Sequence, residues 1–160
     1  TLRGMTRYRV QQIETLDTYP LRSSVLRHDT PTKVVGFAED DWPGVVHLGV
    51  YDDRAVPPSL VATSTWVPRA FEDPVTHEVT DRAVQLRGMA TDRALQGQGI
   101  GGILLDSAVD RMRAAGFVVA WARARDAALG FYTRHGFVVR GDGFVDEGTQ
   151  LPHHIVHCRL

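Results

Sequence analysis

The stretch LQGQGIGG, residues 95–102, contains four glycines within six positions. Glycine inside regular structure costs about 1 kcal/mol relative to alanine, so four of them need a physical reason. One reason is a flexible turn. Another is that the missing side chains let backbone N–H groups approach an anion at the start of a helix, where the helix dipole favours negative charge. These residues alone leave both interpretations open.

Three phosphate-binding patterns can be compared with this glycine turn. A P-loop needs Gly-Lys followed by Ser or Thr, and the only lysine is Lys33, which excludes it. The dinucleotide pattern GxGxxG fits Gly97, Gly99 and Gly102, but residues 92–96 separate it from the preceding strand, and no acidic residue ends the next strand. The third pattern, Gln/Arg-x-x-Gly-x-Gly/Ala, binds the pyrophosphate of coenzyme A, and QGQGIG fits it.

The elements around this turn indicate a mixed α/β fold. β-Rich runs predict strands at 5–13, 45–51, 59–67, 83–91, 117–122, 137–145 and 153–160. Helices are predicted at 20–28 with Pro20 at the start, from the glycine turn to Gly116, and at 126–136. Residues 29–44 and 68–82 are rich in polar residues, Pro and Gly, and predict irregular surface stretches.

The long helix after the turn has an apolar face. Its predicted buried positions are Ile100, Ile103, Leu104, Ala108 and Met112, which recur at three- and four-residue spacing. We therefore expect a strand, glycine turn, helix, strand unit at the centre of the sheet, with the helix following the strand at 83–91 in the chain and preceding the strand at 117–122.

The composition limits which classes of function are compatible with this chain. A length of 160 residues, with 43% hydrophobic and 23% charged residues, predicts one folded domain over 1–160. A net charge of -1 provides no overall basic field for nucleic acid. The lone Cys158 allows no internal disulfide and no zinc site built on cysteines. Without an apolar run of membrane-spanning length or a signal peptide, we expect a soluble cytoplasmic protein with no metal, nucleic-acid or membrane partner.

A second motif lies thirty residues downstream, where FYTRHGF (131–137) puts a tyrosine on a short helix before Gly-Phe and a strand. QGQGIG and FYTRHGF, in this order and spacing, resemble the two signatures of the GCN5-related N-acetyltransferase (GNAT) superfamily. LRSSVLRHDTP, HLGVY, LRGMAT and GDGFV followed by PHH are similar to its small bacterial branch of ElaA- and YjcF-like proteins. The resemblance covers most of the chain. It implies a mostly antiparallel sheet flanked by helices, with a V between the strands at 83–91 and 117–122.

The resemblance implies an activity and site residues. The activity is transfer of an acetyl group from acetyl-CoA to a primary amine, a small molecule or a peptide, in a ternary complex without a metal. The backbone N–H of Met89 matches the group that polarises the thioester carbonyl, and Tyr132 matches the general acid. The implied cofactor-binding residues are Met89, Ala90, Thr91, Gln96, Gly97, Gln98, Gly99, Ile100, Gly101, Gly102, Arg123, Ala127 and Tyr132.

The general base is not evident from the motifs. Relatives that use a strand glutamate place it four residues before the oxyanion donor, where this chain has Gln85. The base is then a chain of water molecules, or an acid or histidine from elsewhere, for which the candidates are His47, His153, His154 and Glu72. Arg123 also departs from the family, because relatives often have Asn there. It is then available to a phosphate or an acidic substrate, or it is a solvated surface side chain.

Two other functions are left open by the sequence. A non-catalytic acyl-CoA sensor would keep the glycine turn but need no proton donor, and a Rossmann-type dinucleotide-binding protein would use GxGxxG. We expect acceptor specificity to lie in the loops at 29–44 and 68–82. A homodimer is left open as the oligomeric state.

Overall fold

A computed structural model describes residues 7–160, and these contain nine strands and three main helices. The strands are β1 (Tyr8–Ile13), β2 (Val46–Asp52), β3 (Ser59–Pro68), β4 (Phe71–Glu72), β5 (Val79–Thr80), β6 (Ala83–Thr91), β7 (Val119–Arg125), β8 (Val138–Val145) and β9 (Pro152–Arg159). The helices are α1 (residues 15–26), α2 (Ile100–Ala114) and α3 (Leu129–Arg134). Residues 5 and 6 of the predicted first strand lie outside the described residues.

Seven of the strands form one sheet in the order β1-β2-β3-β6-β7-β9-β8, and β4 pairs with β5 separately. Every pair in the large sheet is antiparallel except β6 with β7, which is parallel. A parallel pair needs a crossover, and α2 supplies it. The predicted mixed, mostly antiparallel α/β fold is therefore confirmed.

The two central strands separate along their length. β6 and β7 pair only from Ala83–Leu86 to Val119–Ala122. Beyond this region β6 continues to pair with β3, and β7 continues to pair with β9. The predicted V between these strands is present, and it opens at the end of β6 that leads into the glycine turn.

Helix α2 packs on the sheet with a stripe of fully buried residues. These are Ile100, Leu104, Leu105, Ala108 and Met112. The prediction for Ile103 was wrong, because its side chain is 39% exposed. Because an α-helix has 3.6 residues per turn, the i, i+4 series from Ile100 to Met112 drifts around the helix axis, toward the side of Leu105 and away from that of Ile103.

The end of α2 displaces the next strand from its predicted position. Gly116 has a φ of 97°, and the backbone N–H groups of Gly116 and Phe117 donate to the carbonyls of Arg113 and Met112. Gly116 ends the helix as predicted, but the closing motif also uses Phe117, which the sequence assigned to the strand. β7 consequently starts at Val119 and continues to Arg125, whose partner is His153.

Two other predicted elements differ from the structure. α1 begins at Thr15, ahead of Pro20, because the Asp17 carboxylate accepts from the Glu14 backbone N–H at 3.0 Å and caps an earlier turn. It continues through π-helical Arg22–Leu26 and ends there, short of the predicted residue 28.

The stretch 68–82, predicted to be irregular, contains the β4–β5 hairpin. The Asp73 carboxylate closes this hairpin by accepting a hydrogen bond from the Val75 N–H at 2.7 Å.

Candidate active site

Two cavities lie side by side at the open end of the V. The larger, of about 540 Å³, runs along the glycine turn and is called the glycine-turn cavity. The smaller, of about 310 Å³, has Arg27, Arg87, Arg123 and Arg125 in its wall and is called the arginine cavity. Both cavities are lined by Met89, Ala128 and Tyr132. A group bound at these three residues would therefore be reachable from both sides.

The glycine turn has the geometry of an open backbone cradle. Gly97 and Gly99 have φ values of 82° and 83°, a region that other residues rarely adopt. A Cβ at either position would meet nothing within 4 Å, so the space above both is open. Gly99 is the N-cap of α2, which puts the positive end of the helix dipole at this space.

Side chains of the polar residues before the turn hold its backbone. The Gln96 side-chain amide donates to the carbonyl of Thr91 at 3.1 Å. The Asp92 carboxylate accepts from the Ala94 N–H at 3.0 Å and caps a 3₁₀ turn at Arg93–Leu95. Gln96 therefore fastens the turn to the end of β6.

The other two glycines serve the packing of helices. A Cβ on Gly101 would lie 3.3 Å from the Phe131 ring, and one on Gly102 would lie 2.6 Å from the His135 ring. Both are in the first turn of α2, and Phe131 and His135 belong to α3 or its end. Glycine here allows α3 to approach closely and complete the wall of the glycine-turn cavity.

A β-bulge lies at the junction of the two cavities. Thr63 and Thr65 of β3 face Ala90 and Arg87, so that Gly88 and Met89 together stand opposite one residue. Gly88 has a φ of 62°, and a Cβ on it would lie 2.9 Å from the Phe37 ring. A glycine is therefore required, and the bulge changes the direction in which the Met89 backbone points.

Tyr132 lies at the same junction, on α3. It is 6% exposed and packs edge-on against the rings of Phe131 and Phe137. Burial raises the pKa of its phenol above the ordinary value. The hydroxyl forms no hydrogen bond with residues 7–160, and the phenol stays protonated at neutral pH.

The structure gathers most predicted cofactor-binding residues along one cavity. The glycine-turn cavity is lined by Met89, Ala90, Thr91, Gln96, Gly97, Gly99, Ile100, Gly101, Gly102, Ala127 and Tyr132. Arg123 instead lines the arginine cavity, where its Nη2 lies 3.0 Å from Asp146. Gln98 is exposed and lines neither cavity.

The base candidates separate by location. His47 is buried, with its ring nitrogens bonded to Thr65 and to the backbone of Asp40. His154 pairs with Asp126, and exposed Glu72 pairs with His77. None of His47, His154 and Glu72 lines the glycine-turn cavity or the arginine cavity.

Two further residues do line the arginine cavity: Gln85 and His153. The Gln85 amide oxygen accepts from Arg69 at 2.7 Å. Nδ1 of His153 lies 2.8 Å from the Leu151 carbonyl, and because a carbonyl can only accept, this nitrogen carries the proton. The lone pair of a neutral His153 ring is therefore on Nε2.

Sequence reasoning missed most of the arginine cavity. Its residues come from the end of α1 and the loop after it, from β6 and β7, from α3 and its N-cap, and from β9 and the loop before it. Of the two loops assigned to acceptor recognition, 29–44 contributes Thr32 and Phe37, whereas no residue of 68–82 lines it. One signal was available: in WARAR, Arg123 and Arg125 alternate and so share one face of β7.

The carboxylate in this cavity is firmly ionised. Burial opposes ionisation of Asp146, but hydrogen bonds from the Thr149 backbone N–H and the Arg123 guanidinium outweigh it and lower the pKa of Asp146 to about 2. Burial and then the cations of Arg22, Arg27 and Arg123 lower the pKa of Arg87. The guanidinium groups of this cavity are therefore close enough to repel one another.

A buried polar cluster supports the loop that covers the bulge. The Arg22 guanidinium, 1% exposed, makes two bonds to the Asp40 carboxylate at 2.8 and 2.9 Å and one to Thr65 at 2.7 Å. The Phe37 N–H also donates to Asp40, and the Phe37 ring lies 3.8 Å from the Arg22 guanidinium. The cluster thereby holds the Phe37 ring against Gly88.

Over residues 7–160, no group of three or more His, Cys, Asp or Glu side chains could hold a metal ion. In the same part of the chain, no helix has both the length and the apolar character needed to cross a membrane.

Comparison with known proteins identifies the family. Residues 7–137 match the acetyltransferase (GNAT) family. YitI of Bacillus subtilis, an uncharacterised N-acetyltransferase, is 30% identical over 147 residues, which cover 92% of each chain. A candidate N-acetyltransferase from Lactobacillus plantarum has the same fold, with a TM-score of 0.75 at 19% identity over 96% of this chain and 98% of its own.

Escherichia coli ElaA also shares the fold, with a TM-score of 0.69 at 15% identity over 94% of this chain and 99% of its own. The family match, the relative and the mostly antiparallel sheet exclude the dinucleotide-binding alternative, whose doubly wound sheet is parallel. The family match and the relative confirm the superfamily that QGQGIG and FYTRHGF predicted. The chain belongs to the acetyltransferase (GNAT) family.

Proposed function

We propose that this chain, acting as a single domain, transfers the acetyl group of acetyl-CoA directly to a primary amine held in the same complex. One observation carries the proposal: the glycine-turn cavity and the arginine cavity meet at Met89 and Tyr132. A donor in one cavity and an acceptor in the other would react at that point. Proximity of two bound reactants is itself a large part of catalysis.

The glycine turn fits the pyrophosphate of coenzyme A. Positive φ at Gly97 and Gly99, with open space above both, lets the backbone approach an anion without a side chain between them. The first backbone N–H groups of α2 have no partner within the helix, and they point toward the same space. The bound acetyl-CoA supplies the acetyl group as a thioester.

The residues at the junction have the chemistry that acetyl transfer needs. The Met89 N–H, directed by the bulge, would donate to the thioester carbonyl oxygen as negative charge develops on it. The amine nitrogen would form a bond to the carbonyl carbon while the carbon–sulfur bond breaks. Tyr132 would donate its phenolic proton to the departing sulfur, because burial keeps the phenol protonated.

His153 is the side chain that we assign as the base. It lines the arginine cavity, and the bond from Nδ1 to the Leu151 carbonyl leaves the Nε2 lone pair to accept a proton from the attacking amine. Stacking of the imidazole on Phe144, with centroids 5.8 Å apart, limits rotation of the ring. Gln85, which holds the position of a glutamate in some relatives, cannot accept this proton at neutral pH.

The alternative, a non-catalytic acyl-CoA sensor, needs only the glycine-turn cavity. A second cavity that reaches Tyr132 argues for an acceptor. The experiment is a panel of primary amines with acetyl-CoA, in which free thiol and acetylated amine are both measured. We expect equal amounts of the two products with at least one amine. Binding of acetyl-CoA without transfer to any amine would favour the sensor.

A further inference from the structure

The arginine cavity is unusually cationic for a site that receives an amine. Arg27, Arg87, Arg123 and Arg125 line it, and Asp146 is the lining carboxylate in the described part of the chain. An ammonium group alone would be repelled from such a wall. The charge of the wall therefore needs an explanation in the chemistry of the ligand.

Arg27 and Arg125 form a pair of like charges at one point of the wall. The carbonyl oxygen of Leu26 accepts from Nη2 of Arg125 at 2.6 Å and from Nη1 of Arg27 at 3.4 Å. Nε of Arg27 donates to the Val34 carbonyl at 2.8 Å, which fixes the plane of its guanidinium. Two cations that share one acceptor atom lie side by side, although their Coulomb interaction is repulsive.

Local negative charge does not balance this pair. Leu26 ends α1, and the end of a helix carries at most about half a negative charge. The nearest carboxylate to Arg125 is that of Asp29, at 3.6 Å, and it is 55% exposed to solvent. Among residues 7–160, no carboxylate lies within ion-pair distance of Arg27.

The other arginines of this region are paired. Arg22 is bonded twice to Asp40, Arg87 contacts Glu39, and Arg123 contacts Asp146. Arg27 and Arg125, by contrast, have between them one carboxylate within ion-pair distance in the described part of the chain, the exposed Asp29. An anion between two guanidinium groups would relieve their repulsion, and guanidinium binds planar oxyanions through paired hydrogen bonds.

We propose that Arg27 and Arg125 form an anion-binding subsite of the arginine cavity, so that the acceptor is a primary amine that also carries a carboxylate or a phosphate group. This inference rests on the proposed function, because it describes the acceptor of that reaction. With its anion held by Arg27 and Arg125, the acceptor would direct its amine toward Tyr132 and Met89, which line the same cavity.

The test measures binding separately from transfer. The protein, saturated with coenzyme A so that no reaction occurs, is titrated calorimetrically with two matched pairs of amines. The first pair is 4-aminobutyrate and n-butylamine, which differ by a carboxylate. The second is O-phosphoethanolamine and ethanolamine, which differ by a phosphate. At least one amine that carries an anionic group should bind about 10-fold or more tightly than its partner without that group. The pair with the larger ratio identifies the anion.

Two variants of the proposed subsite and one control variant test whether Arg27 and Arg125 produce the preference for the anionic group. Arg27→Gln and Arg125→Gln should each reduce it by about 10-fold, whereas Arg113→Gln, an exposed arginine on α2, should leave it unchanged. Thermal melts confirm that each variant is folded. Equal or tighter binding of both n-butylamine and ethanolamine overturns the inference, as does a preference for the anionic group that survives both cavity variants. A failure of acetyl transfer with every amine contradicts the proposed function and leaves the binding preference measurable.

Discussion

At the scale of single residues, the site depends on side chains whose surroundings alter their ordinary chemistry. Tyr132 is a phenol in an apolar setting, and Asp40 is a carboxylate held between a buried cation and a backbone N–H. The proposed function assigns the first as a proton donor, and the second holds a loop in place. Each role predicts a different result for the removal of one functional group.

Replacement of Tyr132 by phenylalanine removes the hydroxyl and keeps the ring that packs on Phe131 and Phe137. We expect turnover to fall by about 10² to 10⁴, which is typical of a lost general acid, and acetyl-CoA affinity to change by less than about 5-fold. Steady-state kinetics measures the turnover, and calorimetry measures the affinity for acetyl-CoA. Tyr51→Phe, on β2 and away from both cavities, is the control. Full turnover in Tyr132→Phe, with chemistry shown to limit the rate, would mean that water protonates the thiolate.

Asp40→Asn tests the buried cluster. The substitution keeps the shape of the side chain but leaves the Arg22 guanidinium, 1% exposed, without a counter-charge. Loss of one partner of a buried ion pair typically costs about 3 to 5 kcal/mol. Urea denaturation should show a loss of this size. Asp110→Asn, which breaks the exposed pair with Arg113, should cost less than about 1 kcal/mol.

The same carboxylate predicts a pH dependence of stability. Burial opposes the ionisation of Asp40, but bonds from Arg22 and the Phe37 N–H outweigh it and lower the pKa of Asp40. A depressed pKa contributes stability above the unfolded value of about 3.9, and this contribution is lost as the pH falls through the folded value. The free energy of unfolding of Asp40→Asn should therefore fall less steeply below pH ~4 than that of the parent. Parallel curves for the two proteins would contradict the assignment.

At the scale of elements, the glycine turn and the bulge interrupt regular structure where the proposed donor would bind. Gly97 and Gly99 open the N-terminal end of α2, whereas Gly101 and Gly102 let α3 approach it. On β6, Gly88 produces the bulge that directs the Met89 backbone toward the junction of the cavities. Four neighbouring glycines therefore have two distinct functions, which a substitution can separate.

Gly99→Glu should abolish coenzyme A binding. The new carboxylate would occupy the space proposed for the pyrophosphate and would repel its negative charge. The position has a φ of 83°, so any side chain adds strain, and Gly99→Ala measures that strain without the charge. Gly116→Glu places the same side chain at a φ of 97° in open space, at a position that lines neither cavity. This variant should bind coenzyme A with unchanged affinity. Calorimetry on the folded variants compares their affinities for coenzyme A. An unchanged affinity in Gly99→Glu would place the pyrophosphate elsewhere.

At the scale of the whole molecule, the ligand should stabilise the fold, because the glycine-turn cavity exists only when β6, α2 and α3 are packed together. Saturation with acetyl-CoA at 100 times its Kd should add about 2.7 kcal/mol. For a domain of this size, the melting temperature should rise by about 5 to 11 °C. NAD and ATP at equal concentration should produce no comparable shift. A shift with NAD alone would contradict the proposed donor.

The sequence by itself determined the parts of this protein that depend on neighbours along the chain. The strand at 83–91, the glycine turn, the helix after it and the tyrosine before Gly136 are each short-range patterns. Their residues lie within one element or one turn, so backbone conformation and apolar spacing are readable locally. The family, the mixed sheet and its V followed from these motifs and were confirmed.

Only the tertiary structure decided how the arginine cavity is built. The bond from Arg125 to the Leu26 carbonyl joins residues 99 positions apart, and the bond from Arg22 to Thr65 joins residues 43 apart. No local periodicity reports which cation finds a carboxylate and which stays unbalanced, because pairing depends on how distant elements pack. The spacing of His153 likewise did not distinguish it from His154, whereas alternation along β9 put one ring in the cavity and left the other outside it.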